Sequence, residues 1–554
     1  MSSMVIEGDS PLPWARRGVS STRGAVAAAH PLAAQAGARI LRQGGNAFDS
    51  AAATAAALNV VEPYSSGLAG MGAATFYSQR DGSVRCLDFV TKVPSRYPAA
   101  DVAPLLDFST GSTATTGAPG NLAGWFALNR DYGVLPFADV FEPAIELAEE
   151  GFPLTSLGSR TIIKSFDAMK DGPSELFDAW IGTFGDSSYP PRAGFVLRQG
   201  RLAETYRAIQ SEGPGYLYGG RLGTEVVRAV RRYGGVVSVE DLEAVEPAYL
   251  DPIQTSYRDL RVATLPPPSE AFQFLLTLAI LDHVDIEGME HNGTDHFDTV
   301  VRAVRLAAME RIAHNQPNAV TLAALLDAGV EGAFTDRLLD GVPVEGPTEQ
   351  FTLEGVASQV IDRIRSRPAQ HTTSFSIADA EGNLICVTQS LGSVFGCGVV
   401  MEDFGVCLNN FLTWGERLPG STNLLRSGGN LALPLAPSIS LRSGRPVLAM
   451  GTPGSYGIAQ TQSQVLVRSV DFGFNIQDAI EQPRARVKDG REVLVERRIT
   501  SEVMDELRRR GHDVVVGSLW TRQCGGFHAV QVDDSGLTKT GGYDPRRDGL
   551  VATP

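Results

Sequence analysis

A threonine whose preceding peptide bond is cut carries a free amine beside its own hydroxyl, and that pairing makes an activated nucleophile. Thr372-Thr373 offers this chemistry. The pair follows Pro368-Ala369-Gln370-His371 and heads the alternating run Thr372-Thr373-Ser374-Phe375-Ser376-Ile377. Cleavage between His371 and Thr372 would make the chain a precursor that builds its own active site. On propensity alone, paired threonines at a strand start are ordinary β-structure, so residues elsewhere have to decide. Pro446-Val447-Leu448-Ala449-Met450 runs into Gly451-Thr452-Pro453-Gly454-Ser455-Tyr456 and then into a helical pattern over 460–469. Such a turn is either a plain tight turn or a concavity of backbone amides able to hold an oxyanion.

These residues need elements to position them. The run 372–377 alternates, 379–383 supplies turn residues and 384–388 is apolar, which together read as a β-hairpin. The Ala-rich stretch 25–61 reads as two packed helices, with Pro31 in a first turn, Gly44-Gly45 as a stop and Asn46 as the next N-cap. Gly67-Leu68-Ala69-Gly70-Met71-Gly72 follows a helix and precedes a strand pattern, the reverse of a dinucleotide-binding loop. It reads as close backbone packing or a pocket floor. The region 120–316 is mainly helical, with patterns over 137–151, 221–234, 239–245 and 272–284. Pro266-Pro267-Pro268-Ser269 forms a rigid turn, or brings a loop to a cleft. The charged tract 340–367 is expected to be mobile, as a processing site must be. The Gly-, Ser- and Asn-rich stretch 415–430 fits either a lid or a surface loop.

Composition excludes several classes. The 554 residues are 43% hydrophobic and 20% charged, enough for a large core and more than one lobe. Sixty-three acidic against 48 basic residues leave a net charge of −15, the wrong sign for a nucleic-acid partner. Arg508-Arg509-Arg510 closes a helical pattern with Glu502, Asp505 and Glu506 and reads as a solvated face. The five cysteines, Cys86, Cys386, Cys397, Cys407 and Cys524, lack metal-ligand spacing and read as buried thiols. His291, His296 and His314 read as core or surface histidines. No apolar h-region precedes Arg17 and no run of about 18 apolar residues occurs, so a cytoplasmic protein without a membrane partner is expected.

The chain resembles the γ-glutamyltransferase (glutathione hydrolase) family. The resemblance rests on His371-Thr372-Thr373-Ser374-Phe375-Ser376, Asp379 to Asn383, Phe395-Gly396-x-Gly398, Leu408-Asn409-Asn410, Gly451-Thr452-Pro453-Gly454, Asp471-Phe472-Gly473 and Pro483-Arg484-Ala485. Gly44-Gly45-Asn46-Ala47, Gly67 to Gly72, Gly213-Pro214-Gly215 and Pro266 to Ser269 extend it over roughly 24–548. It implies an α+β fold, the four-layer αββα sandwich of N-terminal-nucleophile hydrolases, with a helical portion from the N-terminal segment. It also implies autocatalytic cleavage into a large segment, 1–371, and a small one, 372–554, intertwined in one domain. By the same resemblance Thr372 is the nucleophile, Ser390 hydrogen-bonds it, the Gly454 and Ser455 amides form the oxyanion hole, and no cofactor is needed. A homo-oligomer stays open.

The departures concern the glutamyl pocket. The family holds the substrate's charged amino-acid head with an arginine after Asp-Phe, an asparagine after the second strand, acidic or amide residues after Asn-Asn, and paired serines. Here Val90 follows Asp88-Phe89, Gly392 stands on the second strand, Phe411 and Trp414 follow Asn410, and the serines fall near Leu433 and Pro434. Stranding a buried charge costs about 3–5 kcal/mol. The expected function is therefore an autoprocessed amidohydrolase acting on a small-molecule acyl amide other than γ-glutamyl. Thr373, Val90, Gly392, Asn410, Phe411 and Trp414 are its substrate-binding candidates, and Phe411 and Trp414 either wall an apolar pocket or pack in the core. The alternatives are a genuine γ-glutamyltransferase, a carbon-carbon bond hydrolase of specialised metabolism on the same scaffold, and an uncleaved binding homologue.

Overall fold

The computed structural model describes residues 18–98, 109–186, 189–340, 342, 344–349, 370–416 and 423–554. Most of the tract 340–367, the N-terminal segment to Arg17 and the centre of the 415–430 stretch lie outside the described residues.

Two seven-stranded sheets form the frame. Their strands begin with β1 (Val19–Ser21), β2 (Gly24–Ala28), β3 (Met71–Ser78), β4 (Ser83–Asp88), β5 (Ala248–Leu250), β6 (Ile253–Tyr257) and β7 (Leu260–Thr264). From residue 370 onward come β8 (Gln370–Asp379), β9 (Leu384–Ser393), β10 (Ser438–Arg442), β11 (Arg445–Gly451), β12 (His528–Val532), β13 (Lys539–Tyr543) and β14 (Leu550–Ala552). One sheet runs β14-β2-β8-β9-β3-β4-β5 and the other β1-β13-β12-β11-β10-β7-β6. Each therefore mixes strands from before and after residue 371.

The burial pattern sets the layers. Phe375 and Ile377 of β8 join the core formed with α1 (Pro31–Arg42) and α2 (Ala47–Val61), on the outer face of the first sheet. The second sheet's outer face, through Val262, Leu448 and Met450, packs on α3 (Phe272–Leu281), α4 (Thr294–Ala313) and α5 (Ile458–Val470). Between the sheets lies a thin layer rich in small residues, including Ala25, Ala27, Ala263, Ala378 and Ala449. The order is helix, sheet, sheet, helix, the αββα arrangement expected. Small side chains let the sheets approach closely: a Cβ on Gly451 would stand 2.3 Å from Ser374 Oγ.

The expected hairpin is β8-β9, in antiparallel register. The helix starting at Ala47 carries a capping box between Asn46 and Asp49, and all of its 15 residues are buried. The stretch 25–61 departs from expectation at its start: Ala25–Ala28 belongs to β2, paired with β8 and β14. Alanine favours helix, but pairing on two edges in a fully buried layer overrides that preference.

Candidate active site

Helix α2 grips β8 at both ends. Asp379 Oδ2 accepts from the Ala47 amide at the helix N-terminus (2.9 Å), and Thr373 Oγ1 donates to Glu62 Oε2 at the C-cap (2.9 Å). The lengths match, since 15 helical residues span about 22 Å and the six steps from Thr373 to Asp379 about 20 Å. Asp379 also accepts three turn amides, from Glu381, Gly382 and Asn383, so the hairpin end is tied to the helix.

At the other end the β8-β9 ladder is irregular. His371 pairs with Gly392 but Thr372 pairs with Ser390, which leaves Leu391 as an extra residue. Leu391 turns its backbone groups elsewhere, to Ser65 O and the Asn410 amide. The bulge lies opposite the His371–Thr372 bond. There the Ser390 hydroxyl donates to the His371 carbonyl oxygen (2.5 Å), accepts the Gly392 amide (2.8 Å), and lies 3.4 Å from the Thr372 hydroxyl that donates toward it. Ser390 thus bridges the hydroxyl that would attack and the carbonyl it would attack. Gly392 takes φ +99°, and a Cβ there would stand 2.4 Å from Asn410 Oδ1, which accepts the Ser393 amide (2.8 Å). His371, Thr372, Ser390, Gly392 and Asn410 therefore form one constellation. Thr373 stands apart, its hydroxyl taken by Glu62 on the helix side.

Gly454 and Ser455 sit where β11 turns into α5. Both have left-handed backbones, φ +144° and φ +60°, and the one-turn helix Ser455–Gly457 packs against β8. Arg486, buried, donates from Nη1 to Gly454 O (3.1 Å) and Gln523 O (3.0 Å), and from Nε and Nη2 to Glu349 Oε1 (2.9 and 2.6 Å). The carbonyl of Gly454 and the amide of Ser455 share one trans peptide plane and point oppositely. Arg486 thus holds the Ser455 N–H facing away from itself.

The remaining candidates are apolar neighbours. Phe411 and Trp414 are 1% and 4% exposed and pack with Leu425, Leu433, Leu435 and Tyr456, with Val90 against the same cluster. Trp414 meets Tyr456 edge-on at 5.4 Å, which links this cluster to the Ser455 turn. Ser269 donates to the Leu435 carbonyl (2.6 Å), so the proline turn braces this cluster. Val90 also lines a groove of about 490 Å³ with Asp88, Lys92, Pro268 and Leu431. Burial pushes the Asp88 carboxyl up to about 6, against the Val90 amide it accepts. The C-terminal end of the 415–430 stretch is pinned: Gly428 and Gly429 exchange backbone bonds with Val93.

Sequence reasoning missed Glu62 and Arg486. Glu62 is fully buried, and burial raises its carboxyl pKa while Arg547 pulls it down. An acid directly after Val60-Val61, at the end of an Ala-rich helix, was the signal that could have found it; nothing local marks Arg486. His291 and His296 pack together on Phe472, and His314 lies 3.6 Å from Glu310. All five cysteines are buried and unpaired. Among the described residues no His, Cys, Asp and Glu cluster fit to hold a metal occurs, and no helix is long and apolar enough to cross a membrane.

Comparison with known proteins places the chain in a family. The glutathione hydrolase-like YwrD proenzyme of Bacillus subtilis (strain 168) is 31% identical over 548 residues, spanning 97% of this chain and 99% of the relative. The acylase ACY 1 proenzyme of Pseudomonas sp. (strain SE83) is 30% identical over 548 residues, 96% of this chain and 94% of the relative. The crystal structure of cephalosporin acylase from Bacillus halodurans superposes with a TM-score of 0.86 at 26% identity, covering 100% of this chain and 99% of that one. The family model described as gamma-glutamyltranspeptidase matches residues 33–553, and the chain belongs to that family.

Proposed function

We propose that the chain is a self-processing amide hydrolase that acts through a Thr372 acyl-enzyme on an acyl group other than γ-glutamyl. One observation carries the reading: Ser390 donates to the His371 carbonyl while lying beside the Thr372 hydroxyl, at a bulge in the strand. Thr372 Oγ1 bonds to the His371 carbonyl carbon, the carbon-nitrogen bond breaks, and the nitrogen departs with the hydroxyl's proton. Water then hydrolyses the ester, giving a His371 carboxylate and a free Thr372 amine and hydroxyl. An α-amine has a reference pKa of roughly 7.7–8.0, so near neutrality it can take the proton from its own hydroxyl when a substrate amide arrives. The Ser455 amide, aimed by Arg486, receives the substrate oxyanion together with that of Gly454.

The acyl preference rests on Val90, Gly392, Phe411 and Trp414, which offer a charged amino-acid head no partner. The proenzyme names of the relatives support processing, and both hydrolase and acylase occur among those names. A denaturing gel tests the first part: fragments of about two-thirds and one-third of the chain are expected, and none from Thr372→Ala. A full-length band that persists in the wild type overturns it. Efficient release of aniline from a γ-glutamyl anilide would overturn the acyl assignment.

A further inference from the structure

The turn that carries Ser455 is held from both sides by two residues of a distant stretch. The Thr348 and Glu349 amides both donate to Asp489 Oδ1 (2.8 and 3.0 Å), and Gly346 pairs with Gly490 in an antiparallel bridge. From this seat Glu349 Oε1 accepts Arg486 Nε (2.9 Å), Arg486 Nη2 (2.6 Å) and Lys488 Nζ (2.9 Å). The third Arg486 nitrogen, Nη1, is the one that donates to Gly454 O. On the other flank the Thr348 carbonyl accepts Arg311 Nη2 (2.8 Å), and the Arg311 guanidinium lies 4.6 Å from the centre of the Tyr456 ring. Thr348 and Glu349 thus reach the residues immediately before and after Ser455.

Charge explains why a carboxylate stands there. Burial would raise the Glu349 pKa, but Arg486 and Lys488 outweigh burial and hold it below the ordinary carboxylate value, so Glu349 is ionised near neutrality. Its bonds are charge-assisted and roughly twice as strong as neutral ones. A guanidinium is a rigid plane, so seating Nε and Nη2 on one oxygen also fixes where Nη1 points. Without that anion Arg486 and Lys488 are two neighbouring cations that repel, and only carbonyl oxygens hold Arg486. We propose that Glu349 is a positioning residue for acyl transfer: it sets Arg486, and through Arg486 the Gly454–Ser455 peptide that receives the substrate oxyanion. Glu349 precedes the proposed cut at Thr372 while Arg486 and Gly454 follow it. The oxyanion turn of one fragment is therefore aimed by the other.

The inference rests on the Thr372 acyl-enzyme reading, and the two fail separately. Turnover is read on a panel of acyl p-nitroanilides, using the acyl chain that the wild type cleaves fastest. Glu349→Gln should lower kcat about tenfold and leave KM within about twofold. Its fragments should appear on gels at the wild-type rate, because in the proposed self-cleavage the donor to the carbonyl is Ser390. Glu349→Asp keeps the anion and should recover part of the loss. In an Arg486→Gln background Glu349→Gln should cost no more than about twofold, since the carboxylate has nothing left to aim. Unchanged kcat, a change confined to KM, kcat and fragment formation falling in parallel, or losses that multiply in the double variant each overturn the role. If Glu349→Gln does not fold, Glu349→Asp is judged on the same terms. A wild-type chain that never cleaves, or that turns over none of the panel once cleaved, removes the reading beneath the inference instead.

Discussion

The Thr373 hydroxyl donates to the buried Glu62 carboxyl, 2.9 Å away, and so fixes the strand directly beside Thr372, the proposed nucleophile, to the end of a helix 311 residues earlier. Because burial favours the neutral form of Glu62, Glu62→Gln should keep the bond and change the melting temperature little. Glu62→Leu leaves the threonine hydroxyl unpaired and should cost about 1–3 kcal/mol. Thermal melts of the Thr372→Ala background read both without interference from cleavage, and equal melts for the two variants would contradict this role.

Ser390→Ala removes the side-chain donor to the His371 carbonyl that the described residues supply. Loss of a donor to a developing oxyanion slows reaction by about 10²–10³. Fragment appearance followed on gels should slow to that extent, and Ser390→Thr should retain most of the rate.

In the proposed reaction Arg486 acts only through the Gly454–Ser455 peptide it orients. Arg486→Lys keeps the charge but cannot bridge Gly454, Gln523 and Glu349 at once, so kcat on an active anilide should fall about ten- to hundredfold with KM nearly unchanged. A change confined to KM would place Arg486 in substrate binding instead.

Gly392 cannot simply be replaced by the family's asparagine. Its φ of +99° opposes a side chain, and so does the 2.4 Å that would separate a Cβ at this position from Asn410 Oδ1. Gly392→Asn should destabilise by about 1–3 kcal/mol and slow processing, without conferring γ-glutamyl anilide turnover.

Acid should weaken the fold through its buried histidines. His30 caps α1 by accepting the Leu32 amide at Nδ1, and burial lowers its pKa from 6.5 to about 4. Between those values the unfolded chain binds a proton that the folded chain refuses, so stability is full above about pH 6.5 and falls as pH drops toward 4. The loss is roughly 3 kcal/mol for this group. His30→Asn keeps a capping oxygen but cannot be protonated, and its melting temperature should fall less between pH 7 and 4 than that of the wild type.

What the sequence revealed was local. The β8-β9 hairpin, the Asn46 cap and Thr372 at a strand start follow from short-range alternation and turn chemistry. Ala25–Ala28 reads as helix in sequence because its strand character comes from pairing with residues more than 300 positions away. Arg486 carried no mark, since its meaning depends on segments that only folding brings to Gly454. Phe411 and Trp414 were legible as departures from a pattern, and their burial puts both in one apolar cluster.

The interleaving of β2 and β3 around β8 and β9 has a consequence for any nicked form of this protein. Scission at His371 would cut the thread but withdraw no strand, leaving two polypeptides laced through the same pair of ladders. Neither piece owns a complete hydrophobic interior. They would part only where the sheets themselves melt, and mixing separately purified halves would restore nothing unless both were refolded in each other's presence.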